Sequence, residues 1–164
     1  MGAGSRESVH LAAELGAGLM LPSVFGSPEL FRPIVEWYHE EWAAAGRPES
    51  EAQVGAISHT HVAQTVEEAR ARWKPYYQNY WGFVGGLLLP AGYKWPPFEY
   101  DNLLSGPAVC GSPQSVIEQM GHWNEMLGLD RHLFMFDLGG IETDLLTESL
   151  ELFAAEAMPA LSRM

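Results

Sequence analysis

Three short apolar runs, separated by long stretches of helical periodicity, restrict this chain to a parallel α/β architecture. The runs are GLMLPSVF at residues 18–25, QVGAISHTHV at 53–62 and HLFMFDL at 132–138. The first and third are almost continuously apolar, as strands are when other layers cover both faces. Between them, SPELFRPIVEWYHEEWAAAG (27–46) puts Phe31, Ile34, Val35, Tyr38 and Trp42 on one helical stripe, with Pro33 expected to kink its first turns. TVEEARARWKPYYQNYW (65–81) opens with a capping box, Thr65 and Glu68, and lines up Ala69, Trp73, Tyr76 and Tyr80. Pro75 predicts a kink or break there. SPQSVIEQMGHWNEMLG (112–128) starts with Ser112 as N-cap and Pro113 at the first helical position, and stops near Gly128. A last helix spans about 144–157 and ends before Pro159. This alternation predicts right-handed βαβ units and a parallel sheet.

Parallel second and third strands require the chain to cross back over the sheet between them. The segment FVGGLLLPAGYKWPPFEYDNLLSGPAVC (83–110) makes that crossing, and is expected to be irregular. Loops of this length are often lids or pocket walls. Phe83, Tyr93, Trp95, Phe98 and Tyr100 suit an apolar pocket, or equally an apolar packing down the side of the sheet.

The chain of 164 residues is long enough for one domain with a sizeable core, and its 47% hydrophobic content argues against disorder. Nine Lys and Arg against 21 Asp and Glu give a formal charge of −12. That balance excludes nucleic acid and an anionic membrane surface as partners, since both need cationic contacts. A local phosphate site remains open, because helix dipoles and backbone amides need no net positive charge. The single cysteine, Cys110, leaves no internal disulfide and points to a reducing compartment. The most apolar run, 85–90, is far too short to span a bilayer, and no leader pattern opens the chain. The expectation is a soluble, cytoplasmic protein.

Several local patterns carry chemistry. GSRESV (4–9) reads as an anion site at a helix N-terminus. Ser5 is the expected N-cap, Gly4 lets a ligand approach the backbone, and Val9, Ala12 and Ala13 share a face that stops at Gly16. The pattern recurs as GSPQSV (111–116), and simple helix capping explains either copy as well. His59 and His61, two apart on a strand, share a side, and with Asp137 they would make a Zn²⁺ site and a metal-dependent hydrolase. Cys110 precedes a helix start, a position that lowers a thiol pKa. Glu142, Asp144 and the later carboxylates form a solvated helix face. No Ser-His-Asp order, phosphate-binding P-loop or dinucleotide fingerprint is present.

Taken in order, GAGSRESVHLAAELGAGLMLPSVFGSPELFRPIVEWYHEEWAAAGRP, QVGAISHTHVAQTVEEARARW, GSPQSVIEQM and HLFMFDLGG resemble the C-terminal part of the bacterial-luciferase-like flavin monooxygenases. The resemblance runs over nearly the whole chain. It implies part of a TIM (β/α)8 barrel, with the three strands corresponding to barrel strands six to eight and residues 1–164 forming a single luciferase-like domain fragment. It further implies reduced FMN, or a deazaflavin, as cofactor, O₂ and a small organic substrate, and a flavin reductase as partner. Gly4, Ser5 and Ser8 match the turn that holds the flavin phosphate in this family. The family's first five strands, its usual catalytic histidine and most contacts to the isoalloxazine have no counterpart here. A non-catalytic flavin-binding or dimerisation module is the rival reading. Two unpaired strand edges and bare strand faces, carrying Leu19, Leu21, Phe134 and Phe136 or their alternates, lead us to expect a homodimer.

Overall fold

The computed structural model describes residues 1–2, 4–88 and 99–164. Its sheet is parallel, as the alternation predicts. Strand β1 (Leu19–Met20) lies beside β2 (Val54–Val62), with Leu19 opposite Val54 and Met20 opposite Gly55. A short strand that the sequence reading missed, β3 (Val109–Gly111), pairs with the other half of β2, placing His61 opposite Cys110. Strand β4 (Arg131–Met135) also pairs with β2. The first strand is shorter than expected because Pro22 has no N–H to donate to a ladder, and the chain turns into a 3₁₀ segment at Ser23–Phe25.

The helices correct the sequence reading in four places. Pro33 lies in the first turn of α2 (Arg32–Ala44), after a 3₁₀ turn at Pro28–Phe31, so its missing N–H disrupts nothing. Helix α3 (Val66–Leu88) continues unbroken past Pro75. Its buried stripe is Ala69, Trp73, Tyr77 and Trp81, while Tyr76 and Tyr80 flank it half-buried. Steps of four, not three, keep the large rings over the sheet. The supposedly irregular crossing is partly helical, since α3 extends to Leu88 and α4 covers Tyr100–Leu104. Within it Phe83 is exposed and Tyr100 buried, whereas Tyr93, Trp95 and Phe98 lie outside the described residues. The last helix, α6 (Thr143–Leu152), widens into a π turn at Phe153–Ala157 and resumes as α7 (Met158–Leu161), with Pro159 in the first turn of α7. Two helices match expectation. Helix α1 (Arg6–Leu15) ends on Gly16, left-handed at φ 66°, and α5 (Pro113–Leu127) ends before Gly128 at φ 58°.

The chain divides into two compact units, residues 1–58 with 121–134, and residues 59–120 with 135–164. In the first, Val9, Ala12, Leu19, Leu21, Tyr38, Trp42, Val54 and Leu127 form one core. Its polar atoms are paired. The Tyr38 hydroxyl donates to the Ala17 carbonyl at 3.2 Å, the Trp42 indole to Pro48 at 2.8 Å, and the Asp130 carboxylate accepts from the Val54 amide at 2.8 Å. In the second unit, Trp73, Tyr77, Trp81, Tyr100, Cys110, Leu138 and Ile141 form the core, and Ser149 accepts the Val62 amide at 2.8 Å. Of the residues expected on bare faces, Leu19, Leu21 and Phe136 are buried and Phe134 is half-buried. Their alternates Leu133 and Met135 carry the exposure, 52% and 38%. Among the described residues no helix is long and apolar enough to cross a membrane.

Candidate functional site

The start of α1 is built from its two serines. Ser5 is extended at φ −137°, and its Oγ accepts the Ser8 amide at 3.3 Å. In return Ser8 Oγ accepts the Ser5 amide at 3.2 Å and donates to the Ser5 carbonyl at 2.8 Å. This closed box leaves the first-turn amides of Arg6 and Glu7 without a carbonyl four residues back, at the positive end of the helix dipole. With the Ser8 proton engaged, Ser5 supplies the hydroxyl that can turn to an anion. Both serines are accessible, and a Cβ on Gly4 would meet only Pro22, at 3.7 Å. A single β-bridge, rather than a strand, lies ahead of this turn. Gly2 bridges Met20 in parallel, and the Met20 amide donates to the Met1 carbonyl at 2.8 Å.

The second copy of the motif repeats two of these bonds. Ser115 donates its amide to Ser112 Oγ at 3.3 Å and its hydroxyl to the Ser112 carbonyl at 2.9 Å. Here Pro113 removes one first-turn amide and the serines are part-buried. A side chain at Gly111 would strike Ser115, 2.2 Å away. Capping and packing account for this copy.

The histidine pair of β2 faces the aromatic side of α3. His59 meets Tyr77 through a hydrogen bond at 3.2 Å, and His61 stacks on Trp73 at an interplanar angle of 13°. Both are buried, and burial lowers the pKa of each to about 4. Among the described residues no three His, Cys, Asp or Glu side chains converge to hold a metal, so His59, His61 and Asp137 do not form the Zn²⁺ site considered above. A cleft of about 320 Å³ opens beside His61, bordered by Glu68, Arg72, Glu148 and Glu151. Arg72 bridges Glu68 at 2.7 Å and Glu148 at 3.0 Å, so the rim is negative and does not suit a phosphate. Cys110 is also corrected. Burial pushes its thiol up to about 12, against the lowering that a helix start implies.

One pair escaped the sequence reading. Ser58 Oγ lies 2.9 Å from His132 Nε2. The only signal was strand alternation, which sends Ser58 to the side opposite His59. Ser58 is fully buried, and His132 Nδ1 has no hydrogen-bond partner among the described residues, so the third group that would orient a general base by a hydrogen bond is not among them.

A family model described as luciferase-like monooxygenase matches residues 1–131. The chain belongs to the luciferase-like monooxygenase family. Solved structures share its fold at low identity. Monooxygenase RslO1 from Streptomyces bottropensis superposes with a TM-score of 0.78 at 19% identity, over 94% of this chain and 45% of that one. The oxygenating constituent of 3,6-diketocamphane monooxygenase from Pseudomonas putida, a type II Baeyer–Villiger enzyme in complex with FMN, gives 0.65 at 21% identity, over 93% and 45%. The coenzyme F420 dependent tetrahydromethanopterin reductase from Methanopyrus kandleri gives 0.66 at 16%, over 98% and 50%. The luciferase-like chain described here thus spans about half the length of these structures. No curated protein matches it.

Proposed function

We propose that these residues form the phosphate-holding part of an FMN-dependent monooxygenase that oxidises a small organic substrate with O₂. The observation that carries this reading is the helix start at residues 4–8, where two amides and a serine hydroxyl stand together at a helix N-terminus in a chain of this family. The donor set suits a phosphate dianion, since it is neutral, exposed and rich in N–H and O–H groups. Gly4, Ser5 and Ser8 are the residues we assign to it, with Ser5 as hydroxyl donor and Ser8 holding Ser5 in place. Bound FMN would supply the oxygen chemistry, while these residues would anchor its phosphate. Related folds bind FMN in one case and depend on coenzyme F420 in another, so a deazaflavin is the alternative cofactor. A flavin reductase partner, a cytoplasmic location and a homodimeric state complete the proposal.

Titration of the purified chain with FMN and with riboflavin tests it. FMN is expected to bind more tightly than riboflavin, which lacks the phosphate. Ser5→Ala removes a charge-assisted hydrogen bond of about 1.5–3 kcal/mol and should weaken FMN at least about tenfold without changing riboflavin. Equal FMN affinity in Ser5→Ala and the parent chain would show that the phosphate lies elsewhere.

A further inference from the structure

Inside the second unit, a tyrosine and a histidine sit where an electron and a proton can leave together. Tyr77 is fully buried, with its hydroxyl 3.2 Å from Nδ1 of His59, within reach for direct proton transfer. The Tyr77 ring stacks on Trp73, centroids 3.9 Å apart and planes 11° from parallel. Its edge meets Trp81 at 6.1 Å, and Trp81 meets the half-buried Tyr80 at 5.4 Å. Oxidisable rings therefore lead from the buried phenol towards solvent in short steps.

We propose that Tyr77 and His59 form a proton-coupled redox pair, in which Tyr77 yields one electron to an oxygen-derived radical oxidant and its phenolic proton to His59 Nδ1. The O–H bond breaks, an N–H bond forms, and the products are a neutral tyrosyl radical and an imidazolium. One electron returned from a thiol in solution, through Tyr80 and Trp81, reverses both changes. The physical case rests on charge. A buried phenol that lost an electron alone would become an unsolvated cation and a strong acid, which an apolar site disfavours. A neutral imidazole in hydrogen-bond contact removes that obstacle. Burial keeps His59 unprotonated and so able to accept. The imidazolium formed would lie against the Tyr80 and Trp81 rings, 4.8 and 5.6 Å away, whose π-systems favour a cation. Tyr77 as donor sets the tautomer, with Nδ1 accepting and Nε2 carrying the hydrogen. A protective role during oxygen chemistry rests on the function proposed above; the redox pair itself does not, and its test uses no flavin.

The test is photo-oxidation of the whole chain by ruthenium(II) tris(bipyridine) with a cobalt(III) quencher, read by electron paramagnetic resonance. A long-lived neutral tyrosyl signal is expected, falling severalfold in Tyr77→Phe. His59→Gln keeps a hydrogen-bond acceptor but no base, and should also lower the yield severalfold. Deuterated water should slow radical formation in the parent chain and not in His59→Gln. A signal of unchanged size in Tyr77→Phe overturns the proposal. Unchanged yield and isotope effect in His59→Gln overturn it as well, and decide the matter if Tyr77→Phe does not fold.

Discussion

His61 stacks on Trp73 with neither ring nitrogen hydrogen-bonded among the described residues, so the folded protein holds it neutral at the cost of two unpaired polar atoms. Its pKa falls from 6.5 to about 4, chiefly by burial, with Arg72 pushing the same way and Glu68 opposing. His59 and His132 fall to about 4 by burial alone. The linkage sign follows from proton counts. Between about pH 4 and 6.5 the unfolded chain binds more protons than the folded one, so stability is complete above about 6.5 and lost as pH falls towards 4. Thermal unfolding followed across that window should show a falling Tm. His61→Phe, which deletes both unpaired atoms and keeps a flat ring, should flatten the acid limb and leave neutral-pH stability equal or higher. An unaltered acid limb in His61→Phe would mean that this ring is hydrated in the folded state. The histidine pair itself was legible as a pair, since residues two apart share a strand face. What the sequence could not show was that aromatic rings of α3, rather than water or a metal, meet that face.

At the scale of elements, the turn after β4 is the most sterically exacting place described. Gly139 adopts φ 68°, and a Cβ there would lie 1.8 Å from the Tyr76 carbonyl oxygen of α3. Asn79 of the same helix donates to the Gly139 carbonyl at 2.8 Å, so turn and helix are joined on both sides. Gly139→Ala must move backbone as well as adopt an unfavourable dihedral. Its cost should exceed the roughly 1 kcal/mol of the dihedral alone, and about 3 kcal/mol is expected from urea unfolding. Gly140, at φ 77° with open space around it, should lose only about 1 kcal/mol on the same change. Equal costs at the two positions would show that the close approach is not rigid. The starts and stops of α1 and α5 were the most legible, because Ser5, Ser112, Gly16 and Gly128 act through local hydrogen bonds and dihedrals. The passage of α3 through Pro75 was not. Continuous packing of Trp73, Tyr77 and Trp81 outweighs the missing hydrogen bond, and packing partners come from distant sequence.

For the whole molecule, Leu133 and Met135 on β4 remain exposed while the other apolar strand residues are buried or half-buried. An exposed apolar strand face supports the proposed self-association. Light scattering should give a mass near twice 18.2 kDa, shifting towards the monomer in Leu133→Lys; a constant 18.2 kDa across concentrations would refute the dimer. The sequence by itself determined the alternation of strands and helices, their parallel sense and the capping of α1 and α5. These depend on periodicity and on residues within a few positions of one another. Resemblance across ordered motifs reached the luciferase-like family as well. Only the tertiary structure decided that Cys110 is a buried thiol whose pKa burial raises rather than lowers. Only it decided that Ser58 meets His132, that β3 exists, and that Tyr77 rather than Tyr76 faces His59. Each of these depends on which side chains from remote segments exclude water from a group. Local spacing carries no record of that exclusion, because desolvation is a property of the assembled surroundings.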